Sequence, residues 1–205
     1  MKFQYLLLFV IVPFLGFSQS FEIGAGAGTG AFYFFESIDD NVDMDYSNAA
    51  SIYVDAKYNF KDRYDGIKLR LQNTSVDLDG NDYQQGLRID GNVETFTIAL
   101  LYERLKSDKN FNIGYNFGVG HTVESLEPIR NQRGLDFEER FMNVSGAGIF
   151  SFRLNDTLRL RGETGLLWTD PVNTFRGSEN WQTAGEDLSF LVQIGISYLF
   201  LKTND

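Results

Sequence analysis

The stretch that decides the fold is residues 187–200, DLSFLVQIGISYLF, near the end of the chain. Large apolar side chains occupy every second position from Leu188 to Phe200. Small or polar residues such as Ser189, Gln193 and Gly195 fill most of the positions between them. Because successive side chains of a β-strand point to opposite faces, this stretch predicts a strand with one apolar face and one mostly small or polar face.

The same alternation recurs in seven earlier segments. The eight predicted strands are Phe21–Phe35, Ala50–Phe60, Gly66–Val76, Val93–Leu105, Phe111–Thr122, Phe141–Leu154, Thr157–Trp168 and Asp187–Phe200. Each has about the ~9–11 residues that a tilted barrel strand needs to cross a bilayer. No apolar run after Ser20 is long enough to cross as a helix, so a membrane location would require a closed barrel.

The connections between these segments alternate strictly between short and long. The short ones are residues 61–65, 106–110 and 155–156, and the long ones are 36–48, 77–92, 123–140 and 169–186. Bacterial outer-membrane barrels have short periplasmic turns and longer extracellular loops. We therefore predict an eight-stranded antiparallel up-and-down transmembrane β-barrel with both termini in the periplasm and four extracellular loops.

The N-terminus, MKFQYLLLFVIVPFLGFSQS, has the pattern of a cleaved secretory signal. Lys2 supplies the positive charge, Leu6–Phe17 is apolar, and small or polar residues follow at Ser18, Gln19 and Ser20. The apolar run is shorter than the ~20 residues of a spanning helix, which disfavours a membrane anchor. We expect a signal peptide over residues 1–20 and a single barrel domain over residues 21–205.

Composition excludes several classes of function. Cysteine is absent, so disulfides and cysteine-based metal sites are ruled out. The chain has 28 acidic against 18 basic residues. This balance argues against nucleic acid, which is bound mainly through basic side chains on phosphates.

The apolar faces end in aromatic residues, as the interfacial girdles of transmembrane barrels do. The other faces carry charges, and we expect these to line the lumen: Glu22, Asp55, Lys57, Lys68, Arg70, Arg153, Arg159, Arg161 and Glu163. They could form a polar ion pathway or a plug of salt bridges. An eight-stranded barrel is only wide enough for its own side chains, which favours the plug.

The chain resembles the small outer-membrane barrels of the OmpA/OmpX type. The end of the last strand resembles the C-terminal signal read by the barrel-assembly machinery, here Gln193, Gly195, Tyr198 and Phe200. It departs from the family in continuing for five residues, Leu201–Asp205, which are too few for a peptidoglycan-binding domain. Gln19 beside the expected cleavage site is similar to the signal peptides of Bacteroidota envelope proteins.

His121 is the only histidine, and Glu124, Ser125 and Glu127 follow it closely. Some outer-membrane enzymes that trim lipid A resemble this set, since His and Ser could act as base and nucleophile. The second residue after His121 is Val123, however, so their His-x-Ser motif is not matched.

Acidic residues are frequent in the first two long loops. The run DLDGND at residues 77–82 begins like a calcium loop, but the sixth position is Asp82 rather than Gly and the twelfth is Arg88 rather than Glu. Irregular calcium binding stays open, with solvated loops favoured. We assign no catalytic, cofactor or metal residue.

We expect a non-enzymatic outer-membrane protein with a structural, surface-interaction or accessory role. Outer-membrane lipid is its expected surrounding, and an envelope protein is a further candidate partner. The alternatives are a lipid-modifying enzyme centred on His121, a small-solute pore, and a soluble barrel of lipocalin type. The soluble barrel would have its apolar faces inward and its charged faces outward.

Overall fold

The computed structural model describes residues 20–34, 42–60, 64–82, 86–107, 109–128, 137–169 and 187–200. The signal-peptide prediction, much of the first and fourth long loops and residues 201–205 lie outside these ranges. Within them the chain forms nine strands: β1 Phe21–Phe34, β2 Val42–Tyr46, β3 Ala49–Asn59, β4 Asp65–Asp82, β5 Leu87–Leu105, β6 Phe111–Pro128, β7 Phe137–Arg153, β8 Leu158–Thr169 and β9 Asp187–Phe200. The described residues include no helix long and apolar enough to cross a membrane.

Eight of these strands close into an antiparallel barrel, as the alternation predicts. Their order around the wall is β1, β3, β4, β5, β6, β7, β8 and β9. Fourteen register pairs between β1 and β9, from Phe21 with Phe200 to Phe34 with Asp187, complete the ring. Every strand of the wall therefore has a partner on both sides, which satisfies the backbone as a bilayer requires.

The long connections contain more strand than the sequence predicts. β4 and β5 pair without a break up to Asp82 with Leu87, and β6 and β7 pair up to Leu126 with Phe137. β2 lies inside the predicted first loop and pairs with the outer end of β4. We name this region, β2 with residues 77–82, 87–92, 123–128 and 137–142, the sheet extension. Gly86, at φ 66°, takes the left-handed conformation in the turn between β4 and β5, where glycine is favoured.

The two faces of each strand meet different surroundings. On β9, Val192, Ile194 and Ile196 are exposed on the outside, whereas Ser189, Gln193 and Ser197 are buried in the lumen. Aromatic rings gather on the outside near the ends of the strands, with the rings of Tyr198 and Phe200 4.9 Å apart. This is the apolar-out, polar-in surface of a transmembrane barrel, and it excludes the reversed lipocalin arrangement.

Candidate functional site

The lumen in the half that contains the barrel's short turns is filled by a cluster of eight charged side chains. The cluster has four cations and four anions, so its formal charges balance. Its members are Lys57, Lys68, Arg70, Arg161, Glu22, Asp55, Glu103 and Glu163, all no more than 7% exposed. We call it the ion-pair cluster.

Every member of this cluster contacts an opposite charge. Arg70 lies 2.9 Å from the carboxylates of both Asp55 and Glu163. Arg161 lies 3.1 Å from Glu22 and 3.4 Å from Glu163. A buried charge without a partner is strongly destabilising, and this arrangement leaves none of the eight without one. The charges that the sequence assigns to the lumen are thus paired with one another, as a plug of salt bridges requires.

Glu103 is the member that the sequence analysis missed. It lies 2.9 Å from Lys57 and also pairs with Lys68 and Arg161. Its position follows from the alternation of β5, because it is the next inward residue after Ala99 and Leu101. Arg159 is buried inside the barrel, as the sequence predicts, and lies opposite Arg153 at the end of β7 and β8, where Arg153 is only half buried.

Uncharged polar groups continue the packing above the ion-pair cluster. The amide nitrogen of Gln193 donates to Ser51 Oγ at 2.9 Å and to Gln72 Oε1 at 3.1 Å. Arg70 in turn donates to Gln193 Oε1 at 3.4 Å. Gln193, predicted as part of the assembly signal, is thus also a link from β9 to β3 and β4, with which β9 is not paired.

Gly195 and Gly26 make room for a tyrosine inside the barrel. Tyr53 lies across them with the guanidinium carbon of Arg70 4.1 Å from its ring centroid. A Cβ at Gly195 would meet Tyr53 Oη at 2.4 Å, and one at Gly26 would meet the Tyr53 ring at 2.6 Å. These glycines therefore permit close approach of a large ring, as small inward residues are expected to do.

The sheet extension is the second candidate site, and its outer face is acidic. Asp45, Asp79 and Asp90 stand directly opposite one another on three neighbouring strands. We call these three residues the aspartate row. Like charges in such positions weaken a sheet. Arg88 offsets part of this, with its guanidinium 2.8 Å from Asp79 and 3.3 Å from Asp90. The hydrogen bond to Asp79 raises the pKa of Arg88.

His121 does not lie in a catalytic arrangement with the residues near it. Its side chain is exposed on the outside of β6, in register with Ile98 and Met142. Glu124 is buried on the opposite face. Ser125 is four positions along the strand, about 13 Å at ~3.3 Å per residue, far beyond the ~3 Å at which a base activates a hydroxyl. Among the described residues, no group of three or more acidic or histidine side chains is arranged to hold a metal ion.

The fold and its surface define a class: the chain is a membrane-spanning β-barrel of the small outer-membrane type. A comparison with protein-family models gives no match, and neither does a comparison with curated protein sequences.

Solved structures share the fold. The outer membrane protein OprG of Pseudomonas aeruginosa is similar with a TM-score of 0.61, at 12% identity over 90% of this chain and 97% of that one. Ail, the attachment invasion locus protein of Yersinia pestis, solved with the heparin analogue sucrose octasulfate, has a TM-score of 0.55 at 11% identity over 90% and 100%. Neisserial surface protein A has 0.52 at 10% identity over 88% and 97%. The barrel is thus an outer-membrane fold, as the sequence predicts.

Proposed function

We propose that this chain is a non-enzymatic outer-membrane protein that presents the sheet extension to a partner outside the cell. The observation that carries the proposal is the aspartate row on a continuous hydrogen-bonded sheet. β4 and β5 remain paired for six positions beyond Val76 and Val93, which is about 20 Å of strand at ~3.3 Å per residue. A sheet of this length is a more rigid platform for recognition than an isolated loop.

The charge of this surface indicates the chemistry of its partner. The four long connections together contain 17 acidic and five basic residues, and of these acidic residues Glu124 is buried inside the barrel. In the aspartate row, Asp79 is 56% exposed at its side chain. Complementary charge accelerates association and suppresses wrong partners. We therefore infer a cationic partner, in contrast to Ail, whose crystallised ligand is a polyanion.

Neutralising the aspartate row tests this function. We expect the triple variant Asp45→Asn, Asp79→Asn, Asp90→Asn to bind poly-L-lysine about tenfold more weakly. The exposed charges of Asp45 and Asp79 contribute up to ~1 kcal/mol each, Asp90 is only 19% exposed and contributes less, and 1.4 kcal/mol is tenfold. Surface plasmon resonance on the refolded protein at low salt measures the affinity. Asp156→Asn, an exposed aspartate in the turn before β8, is the matched control and should bind like the parent. Equal affinity of the triple variant and the parent, or stronger binding of heparin than of poly-L-lysine, would reject the proposal.

The enzyme alternative has its own test at His121. Because Glu124 points to the opposite face and Ser125 lies about 13 Å along the strand, His121→Ala should leave the lipid A of producing cells unchanged. Mass spectrometry of lipid A, with cells lacking the protein as reference, makes the comparison. A lipid A species that requires both the protein and His121 would restore the enzyme hypothesis.

We also propose that the assembly machinery reads Gln193, Gly195, Tyr198 and Phe200. Support comes from their division between the two faces of β9. Tyr198 and Phe200 are 45% and 47% exposed on the outside, whereas Gln193 and Gly195 are buried inside. The aromatic end of the last strand thus stays exposed on the outside. Its inner residues become buried only when the barrel has closed.

A further inference from the structure

An apolar cluster fills part of the lumen at the end that carries the sheet extension. Its buried members are Phe32, Ala49, Val76, Leu78, Val93 and Leu191, with Tyr46 of β2 packed against them. They come from β1, β3, β4, β5 and β9, so the cluster spans neighbouring strands on one side of the wall. We call it the outer cluster.

Polar side chains fill the other side of the lumen at about this level. Thr122 hydrogen-bonds Thr97 at 2.9 Å and accepts from the amide of Asn143 at 2.8 Å. Thr122, Asn143 and Glu124 are each no more than 1% exposed. The outer end of the lumen is therefore packed on both sides.

A cavity separates the outer cluster from the ion-pair cluster. Arg70 and Glu163 of the ion-pair cluster form part of its wall, and Leu191 of the outer cluster forms another part. Its volume of about 40 Å³ is enough for about three water molecules. On β9, Leu191 is two positions from Gln193, about 7 Å at ~3.3 Å per residue, and Gln193 accepts a hydrogen bond from Arg70. The two clusters therefore approach each other closely on this side of the lumen, with the small cavity between them.

We propose that the lumen is closed twice, with an aqueous chamber between the ion-pair cluster and the outer cluster. The two closures work by different physics. The ion-pair cluster blocks the lumen with paired charges, whereas the outer end is blocked by close packing of the outer cluster against the buried polar side chains on the other side. This inference rests on the membrane-spanning barrel of the proposed function, but it does not depend on the cationic partner.

Cysteine reactivity tests the outer closure, because the natural chain has no cysteine. Ala99 is 3% exposed and lines the chamber, so Ala99→Cys places one thiol there. Asp79→Cys, on the sheet extension, gives the rate of a freely accessible thiol. The probe is a trimethylammonium methanethiosulfonate reagent, applied to the refolded protein in detergent micelles.

We expect Ala99→Cys to react about a hundredfold more slowly than Asp79→Cys, since it must wait for the lumen to open. Adding Leu191→Ser should raise the Ala99→Cys rate by about tenfold or more, because the smaller polar side chain opens a gap in the packing of the outer closure. Val93→Ser is a second variant of the same closure, in case Leu191→Ser does not fold. Val192→Ser is the matched control, since Val192 is 49% exposed on the outside of the same strand.

Three results would overturn the proposal. Ala99→Cys could react as fast as Asp79→Cys, the serine variants could fold and leave the rate unchanged, or Val192→Ser could raise it equally. Retention of heat-modifiable gel migration shows that each variant is folded. The assay works in micelles without poly-L-lysine, so its failure is distinct from failure of the proposed partner binding.

Discussion

Replacing Glu103 with glutamine is expected to lower the free energy of unfolding by about 3–5 kcal/mol. Glu103 is fully buried and is the common partner of Lys57, Lys68 and Arg161. The substitution keeps the size of the side chain but leaves four buried cations facing three buried anions. Urea unfolding of the refolded protein in micelles, followed by tryptophan fluorescence, measures the change.

Glu94→Gln is the matched control for this substitution, because Glu94 lies on the same strand and is exposed. Its unfolding free energy should stay within about 0.5 kcal/mol of the parent. Adding Lys57→Met to Glu103→Gln restores the balance of charge and should recover part of the loss. If Glu103→Gln unfolds at the same urea concentration as Glu94→Gln, the ion-pair cluster does not hold the barrel together.

Gly195→Ala is expected to destabilise the barrel by about 1–3 kcal/mol, the usual cost of overpacking. The new Cβ would lie 2.4 Å from Tyr53 Oη and 2.6 Å from the carbonyl oxygen of Ala25. The hydroxyl sits at the end of a side chain, but the carbonyl belongs to the neighbouring strand. The same urea unfolding measurement applies.

Gly148→Ala separates crowding from the general effect of losing a glycine. Gly148 faces outward, and the nearest atom to an added Cβ is 3.9 Å away. This control should be as stable as the parent or slightly more so. Tyr53→Phe removes the closer of the two contacts and should recover part of the Gly195→Ala loss, but not all, because the Ala25 carbonyl remains. Equal effects of Gly195→Ala and Gly148→Ala would show that Tyr53 does not require the glycine.

The sequence predicts the wall of the barrel well because a strand facing lipid on one side and a filled lumen on the other has a period of two. The same period places Lys68, Arg70 and Glu163 inside, where the structure has them. Glu103 obeys the same period, since it continues the inward face of β5 after Ala99 and Leu101, two positions from the end of the strand.

The sheet extension could not be delimited in this way. Beyond Val76, an alternation such as Asp77, Leu78, Asp79 reads both as strand and as an acidic loop, and Gly80 and Gly91 weaken the strand pattern. Residues 77–82 form a strand because they pair with β2 and β5, and the local sequence does not show this pairing. His121 is two positions from Val119, so the alternation of β6 already predicts that it lies on the outer face. Its register partner Met142 could not be predicted, because that pairing joins distant parts of the sequence. The signal peptide and the Bacteroidota origin stay predictions.

The joining of β1 to β9 has a consequence for how the molecule folds. Phe21 pairs with Phe200, about 180 positions further along the chain. Contacts of such long sequence separation form slowly, because a long stretch of chain must be restricted before they gain anything. Until the last strand arrives, β1 presents an open edge of backbone donors and acceptors, the kind of surface on which chains aggregate. The barrel therefore stays open to aggregation until its final fourteen residues, β9, pair with β1 and remove the exposed edge.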